Sequence, residues 1–285
     1  MLFIIGFVIV FGSVLSGYLP HGDIAVLIQP FEVLIIVGGA IGAFIISNPK
    51  PVLSATAKSF GRIMKGSPYK KEAYVELLTL QYSIFRLAKS KGMLALEAHV
   101  EDPHESSLFQ EFPNFLANHH AVDFLCDYLR LMTMGTENPH EFEALIDEDI
   151  ATHHHESEAP ASAIQAMADG LPAFSIVAAV LGIVVTMSSI SEPPEVLGGL
   201  IGAALVGTFL GILLAYGLVG PIASTLKAYS EAESKYFNCI KAGLMAHLQG
   251  YAPAVAAEFA RKTLYSYERP TFIELEEAVT NAQLA

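Results

Sequence analysis

The distribution of positive charge is the feature that most constrains this chain. All 16 Lys and Arg residues lie within residues 50–170 and 221–285, and none lies within residues 1–49 or 171–220. The two stretches without positive charge contain the long apolar runs of the sequence. These runs are Leu2–Leu19, Glu32–Asn48, Leu171–Ile190 and Val196–Val219. Each run is close to the ~20 residues that a helix needs to cross the ~30 Å hydrocarbon core of a bilayer.

This pattern predicts four membrane-spanning helices in two pairs. Cationic side chains cost about 2.5–3.5 kcal/mol at the middle of a bilayer and are retained on the cytoplasmic side. Both basic regions and both chain termini are therefore predicted to be cytoplasmic. A mean hydropathy of +0.46 agrees with a membrane protein. The first run has no basic residue before it, so we interpret it as a retained helix, with a cleaved signal peptide as the alternative.

The predicted fold is an all-α integral membrane protein with a helical cytoplasmic domain and no strands. Residues 1–49 are predicted to form helices one and two with a short periplasmic loop, and residues 50–170 a helical cytoplasmic domain. Residues 171–221 are predicted to form helices three and four, and residues 222–285 a helical cytoplasmic tail.

Local signals place several helix ends. Ser67-Pro68 predicts a capped helix start in the inner domain, and Thr271 with Glu274 predicts a capping box in the tail. After Ser67-Pro68, a pattern of helical period predicts one helix face made of Tyr74, Leu77, Leu78, Gln81, Ile84, Phe85 and Ala88. Pro172 and Pro221 are predicted to mark the cytoplasmic ends of helices three and four. The alternative for these two prolines is a hinge that passes motion from the membrane to the cytoplasm.

Helices three and four lack the chemistry expected of an ion carrier. They contain no Asp, Glu, His, Lys or Arg from Pro172 to Ile190 or from Val196 to Pro221. Ion-coupled membrane proteins hold an ionisable group at depth. Either this protein moves no ions, or another chain supplies the titrating group.

Small residues let other helices approach these two helices closely. Helix four contains two G-x-x-x-G pairs, which are typical of close helix contacts in membranes. They are compatible with packing between helices three and four alone, or with a narrow lining for a third, foreign helix. Thr208 is the hydroxyl in the middle of helix four, and a bond to the carbonyl of its own preceding turn is the commoner role for it.

The sequence resembles one family along nearly its whole length. Leu171–Val180 resembles the third membrane helix of the MotA family of flagellar motor stator proteins (the MotA/PomA family, related to ExbB and TolQ). Val206–Gly217 with Pro221 resembles the fourth helix of that family. Further similar segments are Gln29–Glu32, Leu94–Glu97 and Glu268–Glu274.

The resemblance implies an inner-membrane complex with no cofactor besides the transported H⁺. It would contain several copies of this chain, five in the family, around two copies of the single-span partner MotB, whose membrane aspartate carries the ion. The family's functional prolines correspond to Pro172 and Pro221. The implied lining of the ion path is Thr208, Ala179, Gly207 and Thr186.

The identity of the ion is predicted from two positions. Sodium-driven relatives of the PomA type carry a threonine at the position of Ala179 and a hydroxyl at the position of Gly207. This chain lacks both oxygens, so we favour protons, with sodium as the alternative.

The resemblance also implies a contact with the rotor protein FliG through Lys89, Lys91 and Glu97. Arg is usual in the family at the first of these positions, and Lys keeps the charge without the planar fork. Without the resemblance, these three residues would be interpreted as a solvated face. Asp169 is a candidate for proton exit, or alternatively a helix cap.

Other functions receive less support from the sequence. His153-His154-His155 is interpreted as a solvated or pH-sensitive loop rather than a metal site, because consecutive residues do not share a helix face. No nucleophile, metal or phosphate-loop pattern indicates an enzyme, and the acidic central region argues against nucleic acid. An ExbB/TolQ-type energiser and a non-conducting membrane scaffold stay as alternatives.

Overall fold

The computed structural model describes residues 2–135 and 138–282, and within this part of the chain the regular elements are all helical. The chain divides into two compact units. The first unit comprises Met1–Gly66 and Glu156–Tyr229, and the second comprises Ser67–His155 and Ser230–Ala285. The predicted all-α fold is confirmed.

The helices follow one another with short connections. In chain order they are α1 (Leu2–Tyr18), α2 (Ile24–Leu27), α3 (Pro30–Ser47), α4 (Lys50–Lys65), α5 (Lys71–Lys91), α6 (Glu97–Glu101), α7 (Ser107–Gln110), α8 (Pro113–Leu116), α9 (His119–Thr133), α10 (Pro139–Ser188), α11 (Pro194–Leu214), α12 (Gly220–Leu248), α13 (Pro253–Lys262) and α14 (Phe272–Ala282). A 3₁₀ turn, Met93–Leu96, precedes α6, and a π-helical turn, Ala215–Val219, joins α11 to α12.

Three helical segments of the described chain are long and apolar enough to cross a membrane. They are Ile24–Ser47, Pro139–Ser188 and Pro194–Leu248. Helix α1 is also apolar but has 17 residues, which span only about 25 Å. Three of the four predicted spans therefore coincide with helices that could cross a membrane, and α1 as a fourth span stays a prediction.

The structure corrects the sequence interpretation around the second span. Helix α3 begins at Pro30, which occupies its first turn. The preceding connection, predicted as a loop, contains α2, which is capped by Asp23 through a bond from the amide of Ala25 to Oδ1 at 2.9 Å. Pro49 and Pro51 end α3, but they also begin α4, a helix that the sequence interpretation missed. Proline is tolerated in a first turn because its missing N–H has no helical partner there.

One predicted helix cap is wrong and another is confirmed. The Ser67 hydroxyl accepts a bond from the amide of Tyr69, and α5 begins later, at Lys71. The capping box at the start of α14 is present. The Thr271 amide donates to Glu274 Oε2 at 2.6 Å, and the Glu274 amide donates to Thr271 Oγ1 at 3.2 Å. A bond from Lys71, together with those from Thr271, lowers the pKa of Glu274 to about 2.

The core of the second unit is built around one face of α5. Its buried residues include the apolar series predicted from helical periodicity: Tyr74, Leu77, Leu78, Ile84, Phe85 and Ala88. Gln81 is buried within this face, and its Nε2 donates to the carbonyl of Ile240 on α12 at 3.1 Å. A side chain at Gly243 would collide with the Gln81 amide, so this close contact between α5 and α12 requires glycine there.

Candidate functional site

Helices α10 and α11 pack closely where the sequence has small residues. The Ser175 hydroxyl of α10 is shared between the carbonyls of Gly207 and Thr208 on α11, each at 3.2 Å. A Cβ on Gly211 would collide with the Ser175 side chain and lie 3.2 Å from the carbonyl oxygen of Leu171. The glycines of α11 therefore allow a hydrogen-bonded contact between these two helices. Ser175 was not among the residues predicted to line the ion path.

The four residues predicted to line the ion path lie on these two helices. Thr186 is buried, and its hydroxyl donates to the carbonyl of Gly182 at 2.8 Å. Thr208 is half-buried, and its hydroxyl donates to the carbonyl of Ala204 at 3.4 Å. Both hydroxyls thus bond to the preceding turn of their own helix. Gly207 is buried, and Ala179 is half-buried.

The outward faces of these helices carry large apolar side chains that are open in the single chain. Ile176 and Val184 on α10 are 61% and 60% exposed, and Leu205 on α11 is 66% exposed. Such a surface suits lipid or the helices of other chains.

The helical path continues through both hinge candidates, Pro172 and Pro221, so their prediction as helix ends is wrong. Pro172 lies within α10 and cannot donate a bond to the carbonyl of Ala168. Pro221 lies in the first turn of α12, directly after the π-helical turn. In that turn the Gly220 amide donates to the carbonyl of Ala215. A widened turn is a typical way to carry a helix past a proline.

Glu32 is a residue of the membrane region that the sequence interpretation missed as a site. It lies in the first turn of α3 and is half-buried. A Cβ built on Gly207 would lie 3.2 Å from Cγ of Glu32 and 3.8 Å from Cβ of Ala178. Helices α10 and α11 contribute no ionisable group to this point, but α3 brings one beside them. The segregated charge of the sequence did not indicate this approach, because it depends on how three helices pack.

Asp169 lines a cavity of about 300 Å³ between α10 and α12. Its Oδ1 accepts a bond from Gln165 Nε2 at 2.9 Å. Lys227 and Glu158 form an ion pair of 3.2 Å in the lining of the same cavity. Because Asp169 lies in the interior of α10, the alternative that it caps a helix is wrong. Its role in proton exit stays a prediction.

The predicted rotor-binding residues lie close together in the second unit. Lys89 and Lys91 occupy the last turn of α5, and Glu97 begins α6. Gly92, with a φ of +86°, makes the turn between them, a conformation that favours glycine. All three charged side chains are exposed, and within the described chain they form no ion pair with one another.

The histidine run does not form the predicted loop. His153, His154 and His155 lie inside α10, where the His153 ring packs 4.6 Å from the ring of Phe237. No group of three or more His, Cys, Asp or Glu residues in the described ranges is arranged to hold a metal ion. The thiol of Cys126 is also buried, which raises its pKa to about 12 and leaves it a poor nucleophile.

Long apolar helices that pack through glycine contacts are typical of multi-span membrane proteins. Residues 4–92 match the motility protein A N-terminal family, and residues 117–238 match the MotA/TolQ/ExbB proton channel family. The chain is 46% identical to motility protein A of Escherichia coli over 99% of this chain and 97% of that protein. The chain therefore belongs to the motility protein A family.

Solved structures show the same fold. The flagellar MotAB stator complex of Bacillus subtilis matches with a TM-score of 0.75 and 26% identity, covering 96% of this chain and 98% of that chain. The MotAB structure of C. jejuni matches with a TM-score of 0.78 and 20% identity, covering 94% of this chain and 98% of that chain. The matches along the full chain favour a stator over an ExbB/TolQ-type energiser or a scaffold.

Proposed function

We propose that this chain is a flagellar motor stator subunit that forms a proton channel with a MotB-type partner and converts proton flow into torque on the rotor. The observation that carries this proposal is the 46% identity to motility protein A over essentially the whole chain. The matched Bacillus subtilis structure is a flagellar stator complex, which supports the same function.

The partner supplies what α10 and α11 lack. Neither helix has an ionisable side chain across its predicted span, and a single-span partner with a membrane aspartate provides one. The exposed apolar faces of Ile176, Val184 and Leu205 are suited to contact the partner and further copies of this chain. We propose five copies of this chain around two of the partner.

The charge distribution supports the proposed orientation. With the basic regions inside, α1, α3, α10 and α11 cross the inner membrane and both termini are cytoplasmic. Lys89, Lys91 and Glu97 then face the cytoplasm, where they are proposed to contact FliG. Pro172 and Pro221 are proposed as the coupling points, and Asp169 as part of the proton exit.

Protons are the proposed ion because Ala179 and Gly207 contribute no side-chain oxygen that would replace the water of a sodium ion. The test is to express the chain with its MotB-type partner in cells that lack their own stators. We expect swimming that a protonophore abolishes and that replacement of sodium by potassium leaves unchanged. Speed that follows the sodium concentration would reverse the choice of ion, and no swimming with any partner would contradict the stator function.

A further inference from the structure

The four apolar runs of the sequence contain only one acidic or basic side chain, and it is Glu32. Ionisable residues within membrane spans are costly to bury and generally serve a function. The position of Glu32 at the start of α3 suggests in sequence that it lies near the membrane surface. The packing of α3 against α10 and α11 instead places Glu32 beside residues from the interior of the predicted spans.

Glu32 lies beside Gly207, near the middle of the predicted span Val196–Val219. Its side chain approaches Gly207, since a Cβ built there would be 3.2 Å from Glu32 Cγ, and Ala178 adjoins the same point, its Cβ 3.8 Å from the built atom. Gly207 is about 20 Å along the helix from Pro194, and Ala178 is about 15 Å from Ser188. Both positions therefore lie well inside the spans predicted from the sequence, away from their ends.

A purely structural role does not account for this glutamate. A glutamate in a first helical turn commonly accepts a bond from a backbone amide at the helix start. Within the described ranges, Glu32 accepts no such bond and forms no ion pair. The positive end of the α3 dipole favours a carboxylate there, but the group keeps its hydrogen-bonding capacity free for another partner.

We propose that Glu32 is a second proton-binding carboxylate of the ion path, supplied by this chain itself. In each transport cycle the carboxylate binds one proton from the external side and releases one toward the partner's aspartate, so the group returns to its starting state. Gly207 is glycine because the Glu32 side chain needs the space beside Thr208. This inference rests on the proposed function and adds a residue to it.

The test uses the whole complex, co-expressed with its partner and reconstituted in vesicles, with proton flux followed by a pH-sensitive dye. The variants are Glu32→Gln, Glu32→Asp and Glu195→Gln. Glu195 is the matched control because it is an exposed glutamate in the first turn of α11. We expect Glu32→Gln to lower the flux about tenfold or more, Glu32→Asp to keep most of it, and Glu195→Gln to match the unmodified complex.

A second variant tests the same inference without removing the carboxylate. A Cβ on Gly207 forces the Glu32 side chain to shift by a few tenths of an ångström. Gly207→Ala as a single change, with Glu32 present, should therefore lower the proton flux. In the Glu32→Gln background the same change should lower it no further. This variant carries the test if Glu32→Gln does not co-purify with the partner.

The outcomes separate the two proposals. An unmodified complex that conducts protons, with Glu32→Gln equal to Glu195→Gln, overturns the role of Glu32 and leaves the stator function intact. Equal losses from Gly207→Ala in both backgrounds also overturn it. An unmodified complex that conducts no protons under any condition overturns the proposed function and this inference together.

Discussion

The contact between α10 and α11 depends on individual atoms. Gly211 has no side chain at the point where Ser175 and the carbonyl of Leu171 approach α11. The Ser175 hydroxyl then bonds to two carbonyls of α11, those of Gly207 and Thr208. In a membrane, helix association depends on such close packing and hydrogen bonding, because lipid gives no hydrophobic advantage to apolar side chains that meet.

Gly211→Ala is therefore expected to destabilise the complex by about 1–3 kcal/mol, the usual cost of overpacking. The matched control is Gly198→Ala in the same helix, where an added Cβ meets nothing within 4 Å. That change should be neutral or slightly stabilising, because Ala is the better helix former. The measurement is the thermal unfolding of the detergent-purified complex, and equal midpoints for the two variants would contradict the assigned contact.

Prolines shape two of the longest helices without ending them. Helix α10 continues through Pro160 and Pro172, and α12 begins one residue before Pro221 after a π-helical turn. Each proline removes one backbone hydrogen bond, so the helix bends more easily at that point. Pro172 and Pro221 lie at the ends of the predicted spans, where bending would transmit a change in the membrane to the rest of the helix.

Replacing either hinge proline tests this role. Pro172→Ala and Pro221→Ala restore the missing hydrogen bond, so we expect normal assembly with the partner but swimming speed reduced about tenfold or more. Pro160→Ala is the control, since Pro160 lies in the same helix as Pro172 but outside the predicted span. Unchanged swimming in both hinge variants, or an equal loss in Pro160→Ala, would argue against a hinge.

Most of the large apolar side chains that are exposed in the described residues belong to the first unit of the molecule. The first unit exposes large apolar side chains such as Ile46, which is 88% exposed, and Leu205. The second unit exposes the charged group formed by Lys89, Lys91 and Glu97. A membrane and a charged soluble partner therefore suit different units of the chain.

Charge reversal tests the rotor contact. Lys89→Glu and Glu97→Lys should each abolish swimming without changing assembly, because like charges would then oppose each other across the contact. Lys89→Arg should keep normal swimming, since the positive charge remains. Lys70→Glu is the matched control, as an exposed lysine at the other end of α5. Swimming on soft agar and co-purification with the partner are the readouts, and the same loss in Lys70→Glu would indicate a general effect of charge.

The periodic and compositional parts of the structure could be predicted from the sequence. Apolar runs gave three long spanning helices, and the 3.6-residue period gave the buried face of α5, because burial selects residue types directly. The capping box of Thr271 and Glu274 was predictable because its bonds are local. The prediction that helices end at Pro172 and Pro221 was wrong. A proline is compatible with either a break or a bend in a helix, and only the neighbouring turns distinguish the two.

The sequence by itself determined that the chain has two groups of long apolar helices kept apart from all of its Lys and Arg residues, because the cost of burying charge in lipid depends strongly on residue type. Only the tertiary structure decided that α10 runs on through Pro172, that Ser175 bonds to α11, and that Glu32 lies beside Gly207. Those features depend on which helices pack together and at what height, and no local pattern of residues fixes either.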